Sequence, residues 1–294
     1  MSLRMSAKKG EAIELPIVRS IADLRSAIAL RRAAGESIGL VPTMGALHEG
    51  HLALVRASCS GMDCTVATVL VNPLQFSPDE DFESYPRNEA GDAAMLSEAG
   101  ADLLYAPAIE EIYPEGFSTK VEVTGLTDVL CGAFRPVHFS GVATVVTKLF
   151  LQALPDAAFF GEKDYQQVLV VRRLVRDLDI PIHIEMVPTV READGLALSS
   201  RNAYLTAEER AVAPKLYATL NEMAMAIRKG NAIAETIAIG EAALREAGFR
   251  SIDYLDVRDP ETLARVEVSG RPARIFAAVH LGKARLIDNL AIPG

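Results

Sequence analysis

Residues 38–51 read Ile38-Gly-Leu-Val-Pro-Thr-Met-Gly-Ala-Leu-His-Glu-Gly-His51, followed by the apolar Leu52-Ala-Leu-Val55. An apolar run enters a glycine-punctuated turn, and a second apolar run leaves it. The pattern predicts a strand over about 37–42, a turn, and a helix over about 50–60. The strand is apolar throughout and does not alternate, as expected when both faces of a parallel sheet are covered.

The same alternation continues on both sides. Helical periodicity covers about 20–34, 89–99, 140–154 and 165–178, while short β-branched or apolar runs cover 65–71, 103–105, 157–160 and 183–188. Strands alternating with helices predict an α/β fold, a Rossmann-like doubly wound parallel sheet. Ligands of such sheets lie beyond the carboxyl ends of the strands. Three segments, 42–51, 71–76 (VNPLQF) and 159–164 (FFGEKD), each follow a strand and should converge on one edge.

The pattern changes after about Val190. Asp194-Gly195 signals a hairpin, and Thr206-Ala-Glu-Glu209 is a capping box opening a helix to about 228. A helix over 233–247, strands over 252–257 and 274–280, and a short strand over 285–287 complete a second, smaller α+β domain. The expected division is 1–189, a nucleotide-binding domain, and 190–294, a domain closing over it. Residues 1–12 are expected to form a mobile extension.

Composition narrows the function classes. The chain has 294 residues and a net charge of −9 without long basic runs, which disfavours nucleic acid as partner. Its three cysteines lack a CxxC spacing, so neither a disulfide framework nor a structural zinc site is expected. No apolar stretch reaches the ~18–20 residues of a membrane span, and the start lacks the apolar core of a secretory signal. A cytoplasmic location with no membrane partner is the expectation.

His48 and His51 are spaced i, i+3 at a helix start and share one face. First-turn amides and the helix dipole make such a start an anion site. The dipole disfavours protonation, and a neutral imidazole still donates one hydrogen bond to a phosphate oxygen. A cap, a surface pair or a metal site are the alternatives, although the i, i+4 spacing of HExxH is absent. Gln75 both donates and accepts, which suits a hydroxyl or carboxylate. Lys163 offers a compact cation for phosphates and Asp164 an acceptor for ribose. Ser199, Ser200 and Arg201 suit a triphosphate. Arg135, His138 and Tyr85 stay open between substrate contact and packing, and Phe76, Phe139 and Phe160 are candidate walls of an apolar pocket.

His48-Glu-Gly-His51 resembles the HxGH signature of the nucleotidyltransferase superfamily that includes class I aminoacyl-tRNA synthetases. The longer VPTMGALHEGHLALV, with VNPLQF, YPR, RPVHFSGVATVVTKLF, FFGEKDYQQ and LALSSRN in that order, resembles the pantoate–β-alanine ligases over about residues 18–289. The resemblance implies ATP-dependent condensation of pantoate with β-alanine to pantothenate, AMP and pyrophosphate through a pantoyl adenylate. It assigns ATP to Met44, Gly45, Ala46, Leu47, His48, Glu49, Gly50 and His51, to Gly161, Glu162, Lys163 and Asp164, and to Val190, Leu198, Ser199, Ser200 and Arg201. It assigns pantoate to Gln75 and Gln167, with β-alanine also near Gln75, and catalysis to His48, His51, Lys163 and Arg201, with His51 as proton donor. It implies a homodimer through the larger domain and Mg²⁺ arriving with ATP. The acidic cluster that family members carry after YPR is here Asn88-Glu-Ala-Gly-Asp92, which leaves Mg²⁺ to phosphates and water and Asp92 an open candidate ligand. A nucleotidyltransferase with another acceptor and a non-catalytic nucleotide sensor are the alternatives.

Overall fold

The computed structural model describes residues 15–78 and 80–294; the expected extension at 1–12 lies outside the described residues. The first unit runs β1 (Ile17–Val18), α1 (Ile21–Ala33), β2 (Ile38–Thr43), α2 (Glu49–Gly61), β3 (Cys64–Val69), α3 (Glu89–Ala99) and β4 (Leu103–Tyr105). It continues with α4 (Ile109–Ile112), α5 (Cys131–Phe134), α6 (His138–Ala153), β5 (Ala157–Gly161), α7 (Tyr165–Asp177) and β6 (His183–Val187). Local signals explain the boundaries. Ser20 and Asn88 cap α1 and α3 by accepting backbone N–H groups, and α3 stops at Gly100, where φ is +96°.

The strands form one six-stranded sheet in the order β1-β4-β3-β2-β5-β6, with every pairing parallel. Period-two alternation sorts the side chains. Leu40 and Val66 join the core with α1, α6 and α7, whereas Val41 and Ala67 join the core with α2 and α3. From β2 the chain moves outward through β3 to β4, then returns to place β5 on the other side of β2. The order therefore reverses between β2 and β5, which makes the crevice at their carboxyl ends the switch point of the sheet.

The second unit holds α8 (Ala207–Val212), α9 (Lys215–Arg228), α10 (Ile233–Glu246) and an antiparallel sheet β7-β8-β9 (Ser251–Arg258, Ala273–Leu281, Ala284–Ile292). Leu216, Leu220, Ile227 and Leu244 of its helices pack on Val257 and Ile275 of its sheet. Two expectations are corrected here. The helix expected over 206–228 is broken between α8 and α9 at Pro214, which has no N–H to continue the ladder. The strand expected over 285–287 is the much longer β9, whose polar Asp288 and Asn289 are buried. The expected hairpin is present, with an Arg191–Ala197 bridge around Gly195 at φ +95°. The two units meet where Leu130, Cys131, Phe139 and Tyr165 pack with Leu263 and Phe276.

Candidate active site

A cavity of about 810 Å³ opens at the switch point, between the sheet edge and the second unit. The ends of β2, β3 and β5 supply Met44, His48, His51, Asn72, Gln75, Lys163 and Asp164 to its wall. Gln167, Val190, Leu198, Ser199, Ser200 and Arg201 complete it with Tyr254, Lys283 and Asn289 of the second unit.

The turn after β2 needs left-handed backbone at Gly45 (φ +80°) and Ala46 (φ +51°). Asp92, buried in the first turn of α3, holds it there: its carboxylate accepts the N–H groups of Ala46 (3.1 Å) and Leu47 (2.9 Å). A Cβ on Gly45 would lie 2.8 Å from the same carboxylate. Asp92 is thus occupied as the anchor of the loop. Among the described residues no group of three or more His, Cys, Asp or Glu side chains is arranged to hold a metal.

The histidines form a reciprocal cap. His48 Nδ1 accepts the Gly50 N–H (3.1 Å), and His51 Nδ1 accepts the His48 N–H (3.3 Å). A neutral imidazole with Nδ1 accepting carries its proton on Nε2. The cap therefore fixes both tautomers and leaves two Nε2–H donors, on rings whose centroids are 4.1 Å apart. Burial, with the nearby Lys163 charge, lowers His48 to about 4. Burial, His48 and Lys163 lower His51 to about 3. Both are neutral at pH 7. One expectation changes: the Gly50 and His51 N–H groups are spent on His48 itself, so the donors offered here are the imidazoles and not those two amides.

Gln75 lies beside them. Its amide donates to Met44 Sδ (2.8 Å) and accepts from Asn72 Nδ2 (3.0 Å). Its backbone carbonyl is held by His138 Nδ1 (3.0 Å) and Arg135 Nη2 (3.3 Å). Arg135 also makes a two-point ion pair with Glu80 (2.5 and 2.7 Å). Burial lowers His138 to about 3, so it braces this loop as a neutral ring. Asn72 is a residue that sequence reasoning missed. It is buried, caps the short 3-10 turn Pro73–Gln75 and ties Gln75 to the Gly141 carbonyl; the Asn-Pro pair is its one local signal.

Lys163 and Asp164 stand at the end of β5. The Lys163 ammonium has no ion pair with a described residue. Gln166 and Gln167 both line the cavity, but Gln166 spends its amide on Leu126, Val129 and Cys131 backbone. Glu162 and Glu49 do not line the cavity: Glu162 pairs with Arg274 (2.8 Å) and Glu49 with Arg56 at the surface. Gly45, Ala46 and Leu47 shape the turn from behind the wall.

Ser199 caps the turn Ser200–Tyr204, and Ser200 donates to the Ala46 carbonyl (3.0 Å). Arg201 is already paired, two-pronged, with Asp81 (2.9 and 3.1 Å), a partner not expected from sequence. Tyr85 is buried beside Ser200 and Arg201, and burial raises its pKa. The Val190 carbonyl accepts the Leu198 N–H (3.0 Å). Phe139 and Phe160 line the cavity, but Phe76 is turned onto Phe82 and Tyr85 behind the wall.

Comparison with known proteins bears on this geometry. The family model described as pantoate-beta-alanine ligase matches residues 16–291. The chain is 58% identical over 276 residues to the pantothenate synthetase of Paramagnetospirillum magneticum, covering 94% of this chain and 97% of the relative. It is 55% identical over 279 residues to that of Rhodospirillum rubrum, covering 95% and 99%. The crystal structure of pantothenate synthetase from Thermus thermophilus superposes with a TM-score of 0.90 at 51% identity, covering 95% and 100%. The pantoate-beta-alanine ligase of Francisella tularensis, complexed with beta-gamma ATP and β-alanine, superposes at 0.79 with 33% identity, covering 94% and 97%.

Proposed function

The chain belongs to the pantoate–β-alanine ligase family, and from that premise we propose how its cleft works. It is an AMP-forming carbon–nitrogen ligase that condenses pantoate with β-alanine to pantothenate through an adenylate, using ATP. The carboxylate of pantoate attacks the α-phosphorus and releases pyrophosphate. The β-alanine amine then attacks the acyl carbon and releases AMP. A free carboxylate resists the amine because it would have to expel oxide; AMP is a far better leaving group.

The Nε2–H groups of His48 and His51 donate to phosphate oxygens, and these bonds strengthen as charge builds on the α-phosphoryl group. His51 acts as a hydrogen-bond donor and not as an imidazolium acid, because its neutral form prevails. Lys163, Ser199, Ser200 and Arg201 neutralise the outer phosphates, Arg201 while shared with Asp81. Asp164 accepts from the ribose, and Val190 meets the adenine or its ribose through backbone groups. Gln75 and Gln167 hold pantoate, with β-alanine next to Gln75. Mg²⁺ enters bound to ATP as part of the co-substrate, held by phosphates and water. Residues 1–189 bind the substrates, 190–294 close over the nucleotide, and two copies pair through the larger domain. Sedimentation at twice the 31.6 kDa chain mass is the expected result for the dimer, and sedimentation as a monomer would refute it.

One observation carries the site assignment: two neutral imidazoles with fixed tautomers line one crevice at the strand edge with a lysine that has no ion pair among the described residues. Mass spectrometry of the protein with Mg·ATP and pantoate, without amine, should detect pantoyl adenylate. AMP should be released only when β-alanine is added. Failure to form the adenylate, or preferential adenylation of another carboxylate, would overturn the substrate assignment.

A further inference from the structure

We propose that Asn289, on β9 of the second unit, is a positioning residue for Lys163; this rests on the reading that Lys163 holds the phosphates of ATP. Asn289 is 5% exposed, and its Nδ2 donates to the backbone carbonyls of both Glu162 (3.0 Å) and Lys163 (2.9 Å). Its Oδ1 accepts from Arg274. Arg274 in turn reaches the Glu162 carboxylate (2.8 Å) and lies over the Tyr165 ring, 3.9 Å from its centroid. The amide cannot flip, because its oxygen must face the guanidinium and its nitrogen the two carbonyls.

Lys163 has a flexible four-carbon stem and a headgroup without an ion-pair partner among the described residues. Where its charge reaches is therefore set by its backbone, and that backbone is held from the other unit. The preceding residue, Asp288, makes a two-pronged ion pair with Arg191 (2.6 and 2.8 Å) at the base of the hairpin leading to Ser199 and Arg201. Two consecutive residues of β9, whose side chains leave opposite faces of the strand, thus hold both segments assigned to the outer phosphates, without placing the Asn289 amide on the nucleotide.

The test is a double-mutant cycle in the full-length chain, read by pyrophosphate exchange against Mg·ATP concentration, with thermal melting as a control. Asn289→Asp keeps an acceptor for Arg274 but cannot donate to the carbonyls. It should lower kcat/KM for ATP by about 10-fold, the scale of losing two buried hydrogen bonds, and leave KM for pantoate within about 2-fold. In a Lys163→Ala background the same change should have less than about a 2-fold effect. An equal loss in both backgrounds would mean a general structural role and overturn the proposal. So would a near-normal Asn289→Asp enzyme beside a crippled Lys163→Ala one. A near-normal Lys163→Ala enzyme would instead refute the lysine assignment, and the proposal with it. Should Asn289→Asp melt below the assay temperature, Asn289→Ser, which can donate to one carbonyl only, is read through the same cycle.

Discussion

Asp92→Ala removes the acceptor of two buried N–H groups, those of Ala46 and Leu47, in the turn that presents the histidines. Hydrogen bonds to a charged group contribute about 1.5–3 kcal/mol each, and two that share one carboxylate are not fully additive, so the loss is about 3–5 kcal/mol. At about 1.6 °C per kcal/mol for 294 residues, Tm should fall by roughly 5–8 °C. The turn would also lose what holds Gly45 and Ala46 at positive φ. Misplacing a catalytic group by about 1 Å can cost 100-fold, so exchange should fall with stability. Asp92→Asn is nearly isosteric, but its amide nitrogen would face one of the two N–H donors, so about half the stability loss is expected. Calorimetry with pyrophosphate exchange across a Mg²⁺ series separates the roles. A Tm unchanged within about 2 °C, together with a raised Mg²⁺ requirement, would refute the anchor and restore Asp92 as a metal ligand.

His51→Ala and Lys163→Ala should each lower pantoate-dependent pyrophosphate exchange by at least ~100-fold, the scale of an oxyanion donor; near-normal exchange in both folded variants would remove them from the chemistry. The imidazole NMR signals of His48, His51 and His138 should not titrate between about pH 5.5 and 8, since their values are lowered to about 4, 3 and 3. The sign for stability follows. Between the unfolded value of about 6.5 and these folded values, the unfolded chain binds protons that the folded one excludes. Stability should therefore fall on acidification through that window, by up to about 1.4 kcal/mol per pH unit for each histidine, measurable by denaturant titration. Gly141→Ala should destabilise by about 3 kcal/mol and weaken pantoate binding, because its Cβ would lie 2.1 Å from the Leu74 carbonyl oxygen and 2.5 Å from the Gln75 nitrogen. Urea unfolding and KM for pantoate check it, and an unchanged midpoint would show that the loop yields freely.

Much of the fold is legible locally. The apolar runs at 38–43 and 64–69 form strands, and glycines or caps end the helices where expected. The break at Pro214 is present as a signal, but the amphipathic periodicity on both sides hides it. β9 reads too short because Asp288 and Asn289 look like solvent-exposed polar residues. Their partners, Arg191 and Glu162, lie 97 and 127 residues away. A strand of two residues carries too little pattern to be seen, and β1, Ile17–Val18, is missed for that reason.

The site divides in the same way. His48, His51, Gln75 and Lys163 could be picked out because each follows a strand of a parallel sheet, and topology alone sends strand ends to one edge; Gln167 is indicated only by the family resemblance. Sequence therefore determined which segments meet and which donors they carry. Tertiary structure alone decided which charges remain free: Lys163 has no ion pair among the described residues, whereas Arg201 is held by Asp81, Arg135 by Glu80, and Glu162 by Arg274. The reason is physical. Backbone preference and apolar periodicity act over a few neighbouring residues, but neutralisation of a charge depends on distance through space, and these partners lie 120, 55 and 112 residues apart in the chain.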